Sequence, residues 1–320
     1  MSCEFNFKKE IERAEKNIRP FIRNTYLDFS PWFSSKYNAQ VYFKTENLQH
    51  TGSFKIRGAL NKLLSLSDKK RDNGVVTAST GNHGAAVAFS CKRLNIKPII
   101  FVPANVSEKK LQLIKQQGVE IRFYGDDNVL TEIYARQYAV EKGLTYISPY
   151  NDPFVVAGQG TIGLELAEQI KNPDAVFVSL GGGGLISGIG GYLKSVYPQV
   201  KIIGCSPENS QVMIKSIRAG KILDLPSLPT LSDGTAGGVE KNAITFDFCG
   251  QIVDEFVTVT EAEIKDNLKL FINAQHMLIE GAAAVAVASF IKLHKEYKNK
   301  NIVIILCGAN ISTEILCDIL

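Results

Sequence analysis

The residues with the most chemistry to offer lie in the run Thr51-Gly52-Ser53-Phe54-Lys55-Ile56-Arg57-Gly58-Ala59. Lys55 stands between Phe54 and Ile56, just after a glycine-bearing turn and at the head of a helix-like stretch. Burial disfavours the ammonium form, so a lysine in that setting has a depressed pKa. Its free amine can attack a carbonyl and form a Schiff base. A surface lysine on a first helical turn would have no such chemistry.

Two further strings sit where a strand hands over to a helix. Val176 to Leu180 reads as a buried strand, and Gly181-Gly182-Gly183-Gly184-Leu185-Ile186-Ser187-Gly188 follows it. Consecutive glycines let backbone N–H groups turn towards one point, and a helix N-terminus there favours an anion. A dinucleotide fold is the rival reading. It needs GxGxxG, and neither register supplies it, since Gly181-x-Gly183 meets Ile186 and Gly182-x-Gly184 meets Ser187. Glu208 does lie where a ribose-binding acid would, which keeps that rival open. The second string is Ser79-Thr80-Gly81-Asn82-His83-Gly84. Its hydroxyls and N–H groups suit a carboxylate, or serve as a plain N-cap region.

Together with Cys307-Gly308-Ala309-Asn310, these strings resemble the motifs of the serine/threonine dehydratase family, pyridoxal-phosphate enzymes of fold type II. The resemblance covers essentially the whole chain. It implies that Lys55 carries the cofactor covalently, with Phe54 beside it, and later removes the Cα proton of the substrate. Asn82 would bind the ring hydroxyl, and Gly181, Gly182, Gly183, Gly184 and Leu185 the phosphate. Gly234 and Glu280 would lie near the ring. Glu280 reads equally well as a surface carboxylate near a helix start. Cys307 faces the ring nitrogen, where the family usually has serine or threonine. A thiol is a weaker partner, and a buried core thiol is the alternative. Ser79, Thr80, Gly81, Asn82 and His83 would grip the substrate carboxylate, with His83 supporting the loop rather than reacting. Asn151 is a further cleft residue.

Thr80 occupies the position of a catalytic serine in the related serine racemases, so it is a second candidate catalyst. Family members with a divalent metal use a glutamate before a proline and a later aspartate. Ser206-Pro207 and Val212 stand at those positions, so no metal is expected. The expected activity is β-elimination from L-threonine or L-serine to give a 2-oxo acid and ammonia. Serine racemisation and hydroxyaspartate dehydration are alternatives, and an NAD-dependent oxidoreductase is the rival from another class. The resemblance also implies a homodimer. The chain ends soon after Cys307, so the isoleucine-sensing regulatory domain of biosynthetic threonine dehydratases is not expected.

The elements that must position these residues alternate along the chain. Strands are expected at 41–43, 74–78, 98–103, 119–124, 144–147, 175–180, 201–205, 256–259 and 302–306. Helices are expected at 8–19, 54–66, 85–94, 107–117, 128–142, 158–170, 211–218, 261–275 and 282–294, with Ser107 as an N-cap. This alternation calls for parallel sheets flanked by helices, an α/β fold. The expected division is a small α/β domain at 75–149 inside a large cofactor-binding domain at 1–74 and 150–320, with the site in the cleft between two open twisted parallel sheets.

The 320 residues suit about two domains. A net charge of +4 gives no case for nucleic acid, and Lys69-Lys70-Arg71 reads as a solvated turn. The six cysteines are scattered without a CxxC pair, which points to reduced thiols in a cytoplasmic protein. No apolar run has the length of a membrane span.

Overall fold

The computed structural model describes residues 5–106 and 108–320; Ser107, the expected N-cap, lies outside them. Two sheets organise the chain. The first contains β1 (Leu27–Phe29), β2 (Gln40–Lys44), β7 (Ala175–Ser179), β8 (Lys201–Pro207), β9 (Glu255–Val259) and β10 (Asn301–Ile305), in the order β1-β2-β10-β7-β8-β9. The second contains β3 (Val75–Ala78), β4 (Pro98–Val102), β5 (Glu120–Phe123) and β6 (Thr145–Tyr146), in the order β5-β4-β3-β6.

Among these strands all pairings are parallel, as expected, except that of β1 with β2, which is antiparallel. β7 is buried at every position, as a parallel strand covered on both faces must be. The last strand in sequence, β10, sits between β2 and β7, with Ile302 opposite both Val41 and Ala175. That order brings the ends of β2, β7 and β10 side by side. The main core lies around this sheet, with Phe33, Phe43, Phe177, Phe271 and Phe290 fully or almost fully buried.

Several elements depart from the sequence reading. The stretch after Tyr26 forms β1 and a helix, Pro31–Tyr37, capped by Ser30. Lys69-Lys70-Arg71 lies on a short helix, Asp68–Asn73, rather than in a turn. The helix expected at 158–170 begins at Pro153, because Asp152 accepts hydrogen bonds from the N–H groups of Phe154 and Val155 and proline fits the first turn. Helices Ile244–Ile252 and Thr313–Ile319 were not expected from the sequence. No helix among the described residues is long and apolar enough to cross a membrane.

Candidate active site

The turn after β10 is hydrogen-bonded to the turn before the helix Lys55–Leu64, and the turn after β3 joins it through Asn82, at the carboxyl ends of strands where ligands of open α/β sheets bind. Lys55 is half-buried. Its Nζ donates to the Pro149 carbonyl at 3.1 Å and lies 5.2 Å from the centre of the Phe54 ring. Burial lowers its pKa to about 8, against the opposing pull of Cys307 and Glu280. The neutral amine is therefore far more populated near neutrality than on an ordinary lysine.

The turn before Lys55 is strained. Thr51, a β-branched residue, has φ 63°, a left-handed conformation that costs about 1–3 kcal/mol. Asn310 Nδ2 holds the Thr51 carbonyl at 2.8 Å, and the Ala309 N–H holds that of Gly52 at 2.9 Å. The Phe54 N–H donates to the Cys307 carbonyl at 3.1 Å. The lysine turn is thus fastened directly to the turn after β10.

Asn82 joins that assembly from the other sheet. Its amide donates to Glu280 Oε2 at 2.9 Å and Oε1 at 3.0 Å, while its carbonyl accepts from Asn310 Nδ2 at 2.6 Å. Glu280 also accepts from the Asn310 N–H at 3.1 Å. At 3% exposure, Glu280 is not the surface carboxylate allowed by the sequence. Burial raises its pKa to about 7, against the hydrogen bonds from Asn82 and Asn310. Cys307 Sγ lies 3.9 Å from Glu280 Oε1 and 4.0 Å from Ser179 Oγ, and burial first, then Glu280, pushes the thiol well above its usual pKa. A Cβ on Gly234 would lie 3.4 Å from Glu280, so this glycine also borders the group.

His83 is buried, and its Nε2 donates to the Ile147 carbonyl at 3.0 Å, which fixes the neutral tautomer. Burial and the Lys55 charge lower its pKa to about 3, so the ring stays neutral near pH 7. Ser79 Oγ accepts from the Gly81 N–H at 3.3 Å. Thr80 is half-buried, and its hydroxyl makes no hydrogen bond among the described residues.

The glycine run follows Leu180 as expected. Gly183, at φ 86°, starts the helix Gly184–Val196 without a side-chain cap, and Gly81 likewise starts Asn82–Leu94 uncapped. Each leaves first-turn N–H groups available to an anion. Side chains could not replace Gly181 or Gly182. A Cβ on Gly182 would lie 2.5 Å from the Tyr150 ring, and one on Gly181 2.8 Å from the Thr235 carbonyl. Leu185 is buried behind the turn. Asn151 is committed elsewhere: its amide donates to Glu240 at 2.7 Å and its carbonyl accepts from the Ile244 N–H at 3.0 Å. Ser206 donates to the Leu180 carbonyl at 2.7 Å, Val212 is buried, and Glu208 is exposed.

Sequence reasoning did not single out Asn310, Tyr150 or Pro149. Asn310 closes the Cys307 motif and Tyr150 precedes Asn151, so both stood inside strings already of interest; a carbonyl such as that of Pro149 has no side-chain signal.

A half-buried amine with a lowered pKa and two uncapped helix starts offer chemistry for a carbonyl and for anions. Residues 18–308 match the family described as pyridoxal-phosphate dependent enzyme. The L-threonine ammonia-lyase of Thermotoga maritima is 38% identical over 96% of this chain and 76% of its own length. A catabolic L-threonine dehydratase of Staphylococcus aureus is also 38% identical, over 94% of this chain and 88% of its own. Among solved structures, the processed form of threonine deaminase isoform 2 from Solanum lycopersicum aligns with TM-score 0.94 at 33% identity, covering 98% of this chain and 86% of that one. Maize serine racemase aligns with TM-score 0.91 at 31% identity, covering 97% and 95%. The chain belongs to the pyridoxal-phosphate dependent enzymes of fold type II. The residues present fit that cofactor: an amine for its aldehyde, and a glycine turn, closed to any Cβ, for its phosphate.

Proposed function

We propose that the chain is an ammonia-lyase that converts a small 3-hydroxy amino acid, L-threonine or L-serine, to a 2-oxo acid and ammonia. The observation that carries this reading is the Lys55 amine, whose pKa burial lowers to about 8, on a turn fastened to the Cys307 motif in a chain with two uncapped helix starts. The names of the curated relatives support the reaction and favour threonine.

Bound pyridoxal phosphate supplies the electron sink that stabilises a carbanion at Cα. Gly181 to Leu185 receive its phosphate, Asn82 its ring hydroxyl and Cys307 its ring nitrogen, with Phe54, Gly234 and Glu280 around it. Ser79, Thr80 and the first N–H groups of the helix Asn82–Leu94 receive the substrate carboxylate. His83, neutral and tied to Ile147, shapes that turn. The Lys55 amine takes the Cα proton. The β-hydroxyl then leaves as water, and the remaining enamine tautomerises and is hydrolysed, so the water lost is regained. A protonated thiol at Cys307 cannot hold a pyridinium by charge, and a weaker electron sink favours elimination over transamination.

Racemisation is the second reading, since the half-buried Thr80 hydroxyl is unengaged and could return a proton on the opposite face. A cytoplasmic homodimer belongs to the proposal. The described cysteines are free thiols, and the antiparallel edge exposes Tyr26, Phe29 and Trp32. The test is 2-oxo acid release from cofactor-loaded protein with L-threonine, L-serine and L-threo-3-hydroxyaspartate side by side. Product from one, absent in Lys55→Ala, is expected; a yellow protein that releases none overturns the lyase reading.

A further inference from the structure

Glu240 lies in the segment between the short turn Asp233–Thr235 and the helix Ile244–Ile252. Both of its carboxylate oxygens are engaged. Arg136 Nη2 donates to Oε1 at 2.7 Å and Asn151 Nδ2 to Oε2 at 2.7 Å. The Glu240 N–H donates to the Tyr150 hydroxyl at 2.9 Å, and the Ile244 N–H closes the ring onto Asn151.

Each partner reports to a different part of the molecule. Arg136 is on the helix Asn128–Glu141, which packs on the four-stranded sheet, and its guanidinium sits 4.2 Å from the centre of the Tyr146 ring on β6. Tyr150 is in the segment joining the two sheets, and its ring lies flush against Gly182. Thr245, next to Ile244, donates to the Gly182 carbonyl at 2.7 Å. One carboxylate thus ties the four-stranded unit, the joining segment and the glycine turn together. The Arg136–Glu240 pair is 36% and 25% exposed, so it adds little to global stability. Its geometry serves placement instead.

We infer that Glu240 is a positioning residue that couples the four-stranded unit to the glycine turn. The inference rests on the proposed cofactor site. The turn at Ser79–His83, proposed for the substrate carboxylate, moves with the four-stranded unit, whereas the glycine turn belongs to the six-stranded one. Coupling through Glu240 makes substrate grip and phosphate grip strengthen each other, and linkage requires the effect to be reciprocal.

The test compares holoenzyme with Glu240→Gln, Arg136→Gln and the double variant. Glutamine keeps the size of Glu240, but its amide nitrogen must face one of two donors. Each single variant is expected to weaken pyridoxal-phosphate binding, measured by absorbance on dialysis, by about fivefold, and to raise KM by a similar factor with kcat little changed. The double variant is expected to be no worse than either single one, and Arg136→Lys to recover much of the loss. Unchanged cofactor affinity in Glu240→Gln, or single effects that multiply in the double variant, overturns the coupling. Amide hydrogen exchange across residues 181–186 needs no cofactor. Faster exchange there in Glu240→Gln, with the melting temperature held, supports the coupling even if the wild-type chain does not bind pyridoxal phosphate; unchanged exchange in that case overturns it.

Discussion

Replacing Arg57 with methionine tests how the lysine helix is anchored. Arg57 is two residues beyond Lys55 and wholly buried. It donates to Glu46 Oε2 and Oε1 at 2.8 Å each, to Glu165 Oε1 at 2.8 Å and Oε2 at 3.0 Å, and to Thr161 Oγ1 at 3.0 Å. Glu165 is also hydrogen-bonded to Lys44 and Arg19, whereas among the described residues the other side-chain hydrogen bond to Glu46 comes from the Thr25 hydroxyl, at 2.6 Å. Methionine fills most of the volume but strands Glu46 as a buried anion. Breaking a buried pair in this way costs about 3–5 kcal/mol. For a chain of this length the unfolding entropy converts that into a melting-temperature drop of about 4–7 °C. Calorimetry of the cofactor-free protein measures it. Arg57→Met combined with Glu46→Gln removes the stranded charge and is expected to recover much of the loss. A drop below about 1 °C, or a double variant no better than the single, would refute the reasoning.

The same network sets an acid limb. Burial alone would raise the Glu165 carboxyl, but Arg57 and Lys44 overcome it and hold the pKa at about 2, below the ordinary 4.5. A carboxyl depressed in the folded state adds stability above its unfolded pKa, and that stability is lost as pH falls towards 2. In Arg57→Met the folded pKa rises, so the acid limb between those values becomes shallower.

Two further outcomes are expected. In cofactor-free protein, Lys55 should react with an amine-acylating reagent with an apparent pKa of about 8, read by peptide mass spectrometry, while exposed lysines follow one near ~10.4; labelling in step with the surface lysines would remove the basis for a free amine. Gly182→Ala puts a methyl group 2.5 Å from the Tyr150 ring, an overpacking of about 1–3 kcal/mol, and should loosen pyridoxal-phosphate binding at least tenfold in equilibrium dialysis; wild-type affinity would mean the turn is not a close-fitting cradle.

What the sequence by itself determined was local. The glycine run ends a strand and opens a helix because only glycine tolerates φ 86° and the approach of Tyr150. The helix Glu261–Gln275 appears at its expected bounds because Thr260 and Glu263 form a capping box within four residues of chain. The place of Lys55 at a helix start after a glycine-bearing turn was legible in its own string. Contacts between distant residues were not legible, since nothing in a local string encodes which strand lies beside which. Placing β10 between β2 and β7 brings Asn310 to Thr51 and Asn82, and the buried Glu280 excludes the surface alternative that the sequence left open. The pairing of Arg57 with Glu46 and Glu165, on separate elements, is likewise a product of the packed chain. Asn151, read as a cleft residue, proved committed to Glu240 on a segment remote in sequence. Burial and hydrogen-bond partnership are properties of the packed chain, and they decided the charge state of Lys55, Glu280 and His83.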